Sequence, residues 1–389
     1  MKRTAQRVYA PSIMYSTPAD AISLHLGYPD ACTFPSVSLK AALDAELEEF
    51  PQLALQYCEE SGDAGLREEL ARTSLEFRHR EPLRASEVLI TQGTTEAIAL
   101  ICQSLVAPGD TVLVERPTYV WGIRMFKLFG ARVIGVTTTR DGMSAAALAD
   151  TLKRLRRKRV RPRLLYVMPD FQNPTGHSMP LDARIELLQV AAAYDITILE
   201  DSPYRDIYFQ SAAGSSLFEL DRTGAVALAQ TFSKTIGPGI RLGWIAWNTT
   251  QIDRLAKIKQ TGACTLMSRA VARYLRTKAF SAAVTRARTL YREKRDAMEA
   301  ALVAEMPESV SWDRPEGGFY YWLRLPRGLV ASVVCSIAAE RKVLVLDGSD
   351  CFPDRYRIAA LRLSFSYESP ERIATGVARL AEVIRMLSR

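Results

Sequence analysis

Several features that would assign a sequence to a particular class of protein are missing from this chain of 389 residues. No hydrophobic run approaches the length of a membrane span, and no low-complexity segment, repeat of fixed period or secretory leader is recognisable. The cysteines form no Cys-x-x-Cys pair and are scattered at Cys32, Cys58, Cys102, Cys264, Cys335 and Cys351. We therefore expect a cytoplasmic protein with reduced thiols, without a disulfide framework, a metal site or a membrane segment.

Acidic residues do not balance the basic ones, and the net charge is +8. Much of the excess lies in one run, Lys153 to Arg163, in which eight of eleven residues are Lys or Arg. Such a run is usually a solvent-exposed helix end or connecting loop, and less often a site for nucleic acid or an acidic partner. No zinc-finger spacing, homeodomain or RNA-binding motif accompanies it, so we expect the exposed helix end or loop and no nucleic acid.

The length suits one large domain with a smaller one, since single domains usually contain about 100 to 200 residues. Strand-like runs alternate with helices at 88–91, 111–115, 131–136, 164–168, 196–201, 225–230 and 244–247. This spacing predicts an α/β fold with a mostly parallel seven-stranded sheet between helices, followed by a smaller α/β segment. We predict an N-terminal arm and part of the small domain in 1–45, a large domain in 46–275 and a small C-terminal domain in 276–389.

Four groups of polar residues directly follow strand candidates. They are Gly93-Thr94-Thr95, Asn173 to Gly176, Asp201 with Tyr204, and the stretch from Thr231 to Trp244. In an open sheet of this kind ligands bind beyond the carboxyl ends of the strands, so we expect these groups to lie around one ligand. The first group also opens a helix, whose free N–H groups and positive dipole end suit a phosphate.

The last of these stretches contains Lys234 among small hydroxyl residues, seven positions before Arg241. A lysine that attacks a carbonyl group must be neutral part of the time, and burial or neighbouring positive charge lowers its pKa. Arg241 could supply that charge, and with Thr231 and Ser233 it could hold a phosphate. The stretch therefore suggests a cofactor that carries both an aldehyde and a phosphate.

Five motifs carry a resemblance to a known family: FQNPTG (171–176), EDSPYRDIYF (200–209), TFSKTIGPGIRLGW (231–244), GGFYYWLRLP (317–326) and LRLSFS (361–366). Through them the chain resembles a fold-type I pyridoxal-phosphate (PLP) enzyme of the class I/II aminotransferase family, most closely its 2-aminoadipate and kynurenine aminotransferase branch. The resemblance extends from about Gly27 to Ser366. It implies PLP as the cofactor and the transfer of an amino group from an L-amino acid to a 2-oxo acid.

The resemblance implies a role for each group around the cofactor ring. Lys234 matches the catalytic lysine that holds the cofactor as a Schiff base and then moves the proton. Asp201 matches the carboxylate that faces the pyridine nitrogen, and a protonated nitrogen makes the ring an electron sink. Asn173 and Tyr204 match donors to the 3-oxygen of the ring, and Tyr119 matches an aromatic residue stacked on it.

The resemblance also implies which residues bind the phosphate and the substrate. The residues that match the phosphate site are Gly93, Thr94, Thr95, Thr231, Ser233 and Arg241. Tyr57 matches a tyrosine that reaches the phosphate from the partner subunit, which implies a homodimer with shared active sites. Arg362 matches the arginine that grips the substrate α-carboxylate through a two-pronged contact, with Asn173, Gly27 and Tyr28 bordering the substrate.

Three features depart from the related branch: Tyr28 where leucine is common, Cys58 where a small residue is usual, and the loop DGSDCF at 347–352. They leave open a second reaction on the same residues, a β/γ-elimination or replacement in a biosynthetic pathway, because both reactions begin from the same Cα carbanion. A third alternative is the effector domain of a transcription regulator. Such a regulator would carry an N-terminal winged-helix domain, for which motifs that begin at Gly27 leave no room, so we expect an enzyme.

Overall fold

The computed structural model describes residues 20–73, 79–354 and 358–388, and its strands form one large and two small sheets. The strands are β1 (Ile22–Ser23), β2 (Val88–Thr91), β3 (Thr111–Arg116), β4 (Arg132–Thr139), β5 (Gly142–Met143), β6 (Pro162–Val167), β7 (Thr197–Asp201), β8 (Val226–Thr231), β9 (Gly243–Ala246), β10 (Tyr320–Arg324), β11 (Val343–Leu344), β12 (Leu346–Asp347) and β13 (Ala360–Ser364).

The large sheet has the strand order β2-β9-β8-β7-β6-β3-β4-β5. The pairs from β8 through β7, β6 and β3 to β4 are parallel, whereas β9 runs antiparallel to both of its neighbours and β5 antiparallel to β4. Five parallel strands therefore end at one edge of the sheet, together with β2, which has the same direction.

Helices cover both faces of this sheet, which explains the continuous hydrophobic runs of its strands. In β6, Leu164 and Tyr166 belong to one hydrophobic core and Leu165 and Val167 to the other, because successive side chains point to opposite faces. The helices are α1 (Ser36–Glu49), α2 (Pro51–Ala54), α3 (Ala64–Thr73), α4 (Thr94–Leu105), α5 (Val120–Leu128), α6 (Ala145–Arg157), α7 (Leu181–Ala193), α8 (Leu217–Leu220), α9 (Thr249–Lys259), α10 (Thr265–Leu275), α11 (Lys278–Glu305), α12 (Ala331–Glu340) and α13 (Pro370–Leu387).

Two small sheets come from the C-terminal part of the chain. Strand β13 lies between β10 and β12 and is antiparallel to both. Strand β11 pairs in parallel with β1, and the long helix α11 packs against α13. The apolar run VLVL at 343–346 predicts a single strand, but the structure divides it between β11 and β12, which pair with different neighbours.

The mostly parallel sheet predicted from the sequence is confirmed, and all seven predicted strands are present. The eighth strand, β5, has two residues and forms a short hairpin with the end of β4. Residues 1–19 of the predicted N-terminal range lie outside the described residues. The sequence also predicts a helix from about Ala64 through Phe77, and its last four residues lie outside the described part of the chain as well. The three domain ranges stay a prediction.

The basic run covers the exposed end of α6 and the turn that follows, as expected, and also the first two residues of β6. Leu152 and Leu155 face the core, whereas Lys153, Arg154 and Arg156 are exposed. All six cysteines are free thiols. Within the described ranges, no helix is both long and apolar enough to cross a membrane, and no cluster of His, Cys, Asp and Glu could hold a metal ion.

Candidate active site

A cavity of about 520 Å³ lies at the carboxyl edge of the large sheet. Segments that follow β2, β3, β6, β7 and β8 all contribute to its wall, as the parallel topology requires. Strands β10 and β13 close the opposite side with Tyr320 and Arg362. The cavity therefore brings together residues that are far apart in the sequence.

Lys234 follows β8 in a short 3-10 turn, and its Nζ donates to the carbonyl oxygen of Gly27 at 3.0 Å. Burial lowers the pKa of Lys234 to about 8, the positive charges of Arg362 and Arg241 act in the same direction, and Asp201 opposes them. An appreciable fraction of this amine is neutral near neutral pH, so it can act as a nucleophile or a base.

Asp201 is the last residue of β7 and is buried. Its Oδ2 accepts a hydrogen bond of 2.6 Å from the hydroxyl of Tyr166, while its Oδ1 is buried with no hydrogen-bond partner among the described residues. Burial raises the pKa of Asp201 to about 6, and Tyr166 and Lys234 lower it. The carboxyl group is therefore mostly ionised at neutral pH, with one oxygen free for a cationic donor in the cavity.

An anion cradle is formed where α4 begins. Gly93 precedes the helix with φ +79°, and a Cβ there would lie 3.0 Å from Nη2 of Arg241. That guanidinium donates to the carbonyl oxygen of Gln92 at 2.7 Å. The hydroxyl groups of Thr231 and Ser233 are 2.9 Å apart on the same wall. Free helix N–H groups, hydroxyls and a guanidinium suit a phosphate.

Arg362 lies on β13 with its guanidinium held on three sides. Its Nη1 donates to Oδ1 of Asn173 at 3.0 Å and its Nη2 to the carbonyl oxygen of His25 at 2.6 Å. The guanidinium carbon lies 4.3 Å from the centre of the Tyr320 ring. Its buried Nε has no hydrogen-bond partner in the described part of the chain. A carboxylate is the group that would complete this arrangement.

The structure places every predicted cofactor and substrate residue but one in the wall of this cavity. They are Gly27, Tyr28, Gly93, Thr94, Thr95, Tyr119, Asn173, Asp201, Tyr204, Thr231, Ser233, Lys234, Arg241 and Arg362. The exception is Tyr57, which does not line the cavity of its own chain and is 95% exposed. Its predicted role in a partner subunit stays a prediction.

Sequence reasoning missed several residues of the cavity wall, among them His25, Trp121, Arg124 and Tyr320. Asp350 of the loop at 347–352, which the sequence analysis singled out without giving it a role, also lines the cavity. His25 precedes Gly27 by two positions, and Tyr320 lies within the GGFYYWLRLP motif. Their nearness in sequence to residues with assigned roles could have indicated that they line the cavity. Tyr166 was also missed, although it lies on β6, the strand next to β7, which carries Asp201. No pattern in the sequence reveals that hydrogen bond.

The structural class of the protein follows from its similarity to solved structures. The α-aminoadipate aminotransferase LysN from Thermus thermophilus, solved with N-(5'-phosphopyridoxyl)-L-leucine, superposes with a TM-score of 0.88 at 35% identity, over 95% of this chain and 93% of that one. The architecture is that of the fold-type I PLP-dependent transferases.

The family follows from the sequence comparisons. The model of the family "Aminotransferase class I and II" matches residues 25–380. The 2-aminoadipate transaminase of Thermus thermophilus is 35% identical over 93% of this chain and 89% of that protein. Aromatic-amino-acid aminotransferase 1 of Thermococcus litoralis is 33% identical over 94% of this chain and 88% of that protein. The chain belongs to the class I and II aminotransferase family and is an enzyme of amino-group transfer.

Proposed function

We propose that Lys234 is the catalytic lysine of this aminotransferase and that PLP is bound in the cavity around it. One observation carries the proposal: a partly neutral lysine and a buried carboxylate with an unpaired oxygen share one cavity wall. The aldehyde, the pyridine nitrogen and the phosphate of PLP would each meet a residue of suitable chemistry. When bound, PLP stabilises negative charge at the substrate Cα and carries the amino group between substrates.

The residues of the cavity divide among the parts of the cofactor. Oδ1 of Asp201 would accept a hydrogen bond from the protonated pyridine nitrogen, and Asn173 and Tyr204 would donate to the 3-oxygen. Tyr119 would stack on the ring. The phosphate would be bound by Gly93, Thr94, Thr95, Thr231, Ser233 and Arg241.

The amino acid substrate would be held by its α-carboxylate on Arg362, with Gly27 and Tyr28 beside it. The guanidinium is already oriented by two acceptors, so little conformational freedom remains to be lost on binding. Lys234 would take the proton from Cα, because its amine titrates close to neutral pH and lies in the same cavity.

We also propose a homodimer. Seven large hydrophobic side chains between positions 34 and 57 are exposed: Phe34, Val37, Leu47, Phe50, Leu53, Leu55 and Tyr57. A concentration of exposed apolar side chains in one short segment marks a protein interface. Tyr57 would then enter the site of the second copy. A cytoplasmic location is part of the same proposal and rests on the scattered free cysteines.

The absorption spectrum of the PLP-loaded protein tests the role of Lys234. Protein loaded with PLP should show an absorption band that depends on Lys234, and Lys234→Ala should lose it. Lys259→Ala is the matched control, because Lys259 also has a lowered pKa but does not line the cavity. A band that persists in Lys234→Ala with full turnover would overturn the assignment.

The reaction type is tested on a panel of L-amino acids with aromatic, acidic and aliphatic side chains. Without a second substrate, a transaminase should release about one 2-oxo acid per site and no ammonia, because the amino group stays on the enzyme. Continuous release of ammonia or of a side-chain group would indicate the elimination or replacement reaction instead.

A further inference from the structure

Tyr320 is the first residue of β10, is 3% exposed and lines the cavity, but no role has been assigned to it so far. We propose that Tyr320 is a positioning residue of the transfer reaction: its hydroxyl orients that of Tyr204 toward the cofactor, and its ring holds the guanidinium of Arg362 at the substrate carboxylate. This inference rests on the proposed function, because it concerns the residues that would hold the cofactor and the substrate.

The two hydroxyl groups form one hydrogen bond, with 3.1 Å between the oxygens of Tyr204 and Tyr320. The rings meet edge to face, with centroids 5.8 Å apart and planes at 85°. Neither hydroxyl has another hydrogen bond to the described residues. Two hydroxyls carry two protons and only one proton can lie between the oxygens, so the second is available for donation into the cavity.

The backbone of Gly27 lies directly against the hydroxyl of Tyr320. A Cβ at position 27 would lie 1.8 Å from the Tyr320 oxygen, so this hydroxyl is wedged against the backbone at that position. Burial raises the pKa of Tyr204 well above its ordinary value, so its hydroxyl carries a proton to donate. The geometry of the bond allows either hydroxyl to donate. When Tyr204 donates to the 3-oxygen of the cofactor, as the proposed function has it, the proton between the two phenol oxygens must be that of Tyr320. A donor that itself accepts a hydrogen bond is a stronger donor.

The ring of Tyr320 acts on a second group. The Arg362 guanidinium carbon lies 4.3 Å from the ring centre, a cation–π contact. Asn173 and His25 bind the edge of the same guanidinium, so its plane is fixed by the ring on one face and by two acceptors at the edge. One side chain thus contacts both the substrate-binding arginine and a donor to the cofactor.

Two variants separate the hydroxyl from the ring. Tyr320→Phe removes only the hydrogen bond, whereas Tyr320→Leu also removes the ring. The first readout is the pH midpoint of the absorption band of the PLP-loaded protein. A donor to the 3-oxygen would stabilise negative charge there and so would let the chromophore lose its proton at lower pH. Tyr320→Phe should raise this midpoint by about 0.3 to 1 pH unit, which is the range of one net hydrogen bond.

The second readout is the division between KM and kcat for the amino acid. Tyr320→Phe keeps the ring and should leave KM within about twofold, whereas Tyr320→Leu should raise KM about five- to tenfold, the range of a partly buried cation–π contact. Tyr321→Phe is the matched control. It also removes a buried tyrosine hydroxyl, one that donates to Glu299 at 2.7 Å, but Tyr321 does not line the cavity. It should lower Tm and leave both readouts unchanged.

An unmoved midpoint in Tyr320→Phe would overturn the inference, and so would an unmoved KM in a folded Tyr320→Leu. If the Leu variant does not fold, the midpoint of the Phe variant decides. These outcomes differ from a failure of the proposed function, in which the wild-type protein itself would show no band that depends on Lys234.

Discussion

The amine of Lys234 shares its cavity with the guanidinium groups of Arg362 and Arg241 and with the carboxylate of Asp201. Burial is the largest cause of its lowered pKa, Arg362 is the next and Arg241 the weakest. The sequence pointed to Arg241 because that residue is close along the chain. Burial and the approach of Arg362 depend on the folded sheet, so residue spacing could not reveal them.

This order of causes predicts a pH dependence. Only the neutral amine attacks an aldehyde, so the rate at which the apoprotein binds PLP covalently should fall about tenfold per pH unit below a midpoint near 8, where burial places the pKa. Arg362→Met removes a positive charge and should move the midpoint upward. Stopped-flow absorbance from pH 6 to 10 measures both.

Arg385→Met on α13 is the control for this series, since Arg385 does not line the cavity. A wild-type midpoint near 10, the range of an exposed lysine, would contradict the lowered pKa.

A second prediction at this scale concerns the acid side of the pH profile. The hydroxyl of Tyr166 lowers the pKa of Asp201, so Tyr166→Phe should raise it. If the ionised carboxylate is the form that holds the cofactor, as we propose, activity should be lost at higher pH than in the wild type, with the acid limb of the kcat profile displaced upward by about 0.5 to 1 unit.

Tyr274→Phe loses a long hydroxyl contact of 3.4 Å to the carbonyl oxygen of Ala279, away from the cavity, and serves as the control. Superimposable acid limbs for the Tyr166→Phe and wild-type enzymes would show that Tyr166 does not tune Asp201.

At the scale of elements, the beginning of α4 is the part of the site that depends most on one residue. Gly93 adopts φ +79°, which L side chains rarely adopt, and Arg241 packs against the position where a Cβ would be. The same turn connects β2 to α4 and directs the free N–H groups of the helix toward the cavity. Backbone conformation, rather than a specific side chain, therefore prepares this end for an anion.

Gly93→Ala should weaken binding of inorganic phosphate to the apoprotein about tenfold, because alanine at φ 79° and ψ 177° is strained by about 1 to 3 kcal/mol and its methyl group displaces Arg241. Isothermal titration with phosphate measures this without involving the aldehyde of PLP. Gly109→Ala is the matched control: Gly109 has φ +91° but nothing lies within 4 Å of a Cβ there. Gly109→Ala should lower the stability of the protein and leave its phosphate affinity unchanged. An equal loss of phosphate affinity in both variants would refute a local role of Gly93.

For the whole molecule, the topology of the large sheet explains how much of the fold and of the site could be predicted from the sequence. The seven main strands are buried runs between turn residues, and their order of helix and strand indicates a parallel sheet whose carboxyl edge gathers Gly93, Asn173, Asp201 and Lys234. Strand β5 and the division of β11 from β12 involve two-residue pairings, too short to produce a periodic pattern.

The contacts between side chains on opposite sides of the cavity could not be predicted from the sequence. Tyr204 and Tyr320 are 116 positions apart. The first lies in the turn that follows β7 of the large sheet and the second on β10 of a small sheet, so their hydrogen bond depends on how those two parts meet. The same holds for Arg362 and Asn173, 189 positions apart. Motifs indicate which residues take part, whereas three-dimensional packing decides which of them touch.

The largest-scale prediction is a dimer with shared sites, and complementation tests it. If Tyr57 of one subunit completes the site around Lys234 of the other, Tyr57→Ala and Lys234→Ala homodimers should each have low activity. Mixed dimers would contain one site with both native residues. Random reassociation of equal amounts makes half of the dimers mixed, so activity should return to about a quarter of the wild-type value.

The exposed segment offers the control for this experiment. Leu53→Asp with Leu55→Asp places charge in the exposed apolar segment and should shift the protein toward monomers in sedimentation velocity, with loss of complementation. Activity that stays at the average of the two homodimers after verified subunit exchange would mean that Tyr57 serves its own chain or no site at all. Full activity of the Tyr57→Ala homodimer would mean that the phosphate is held without it, by residues of one chain.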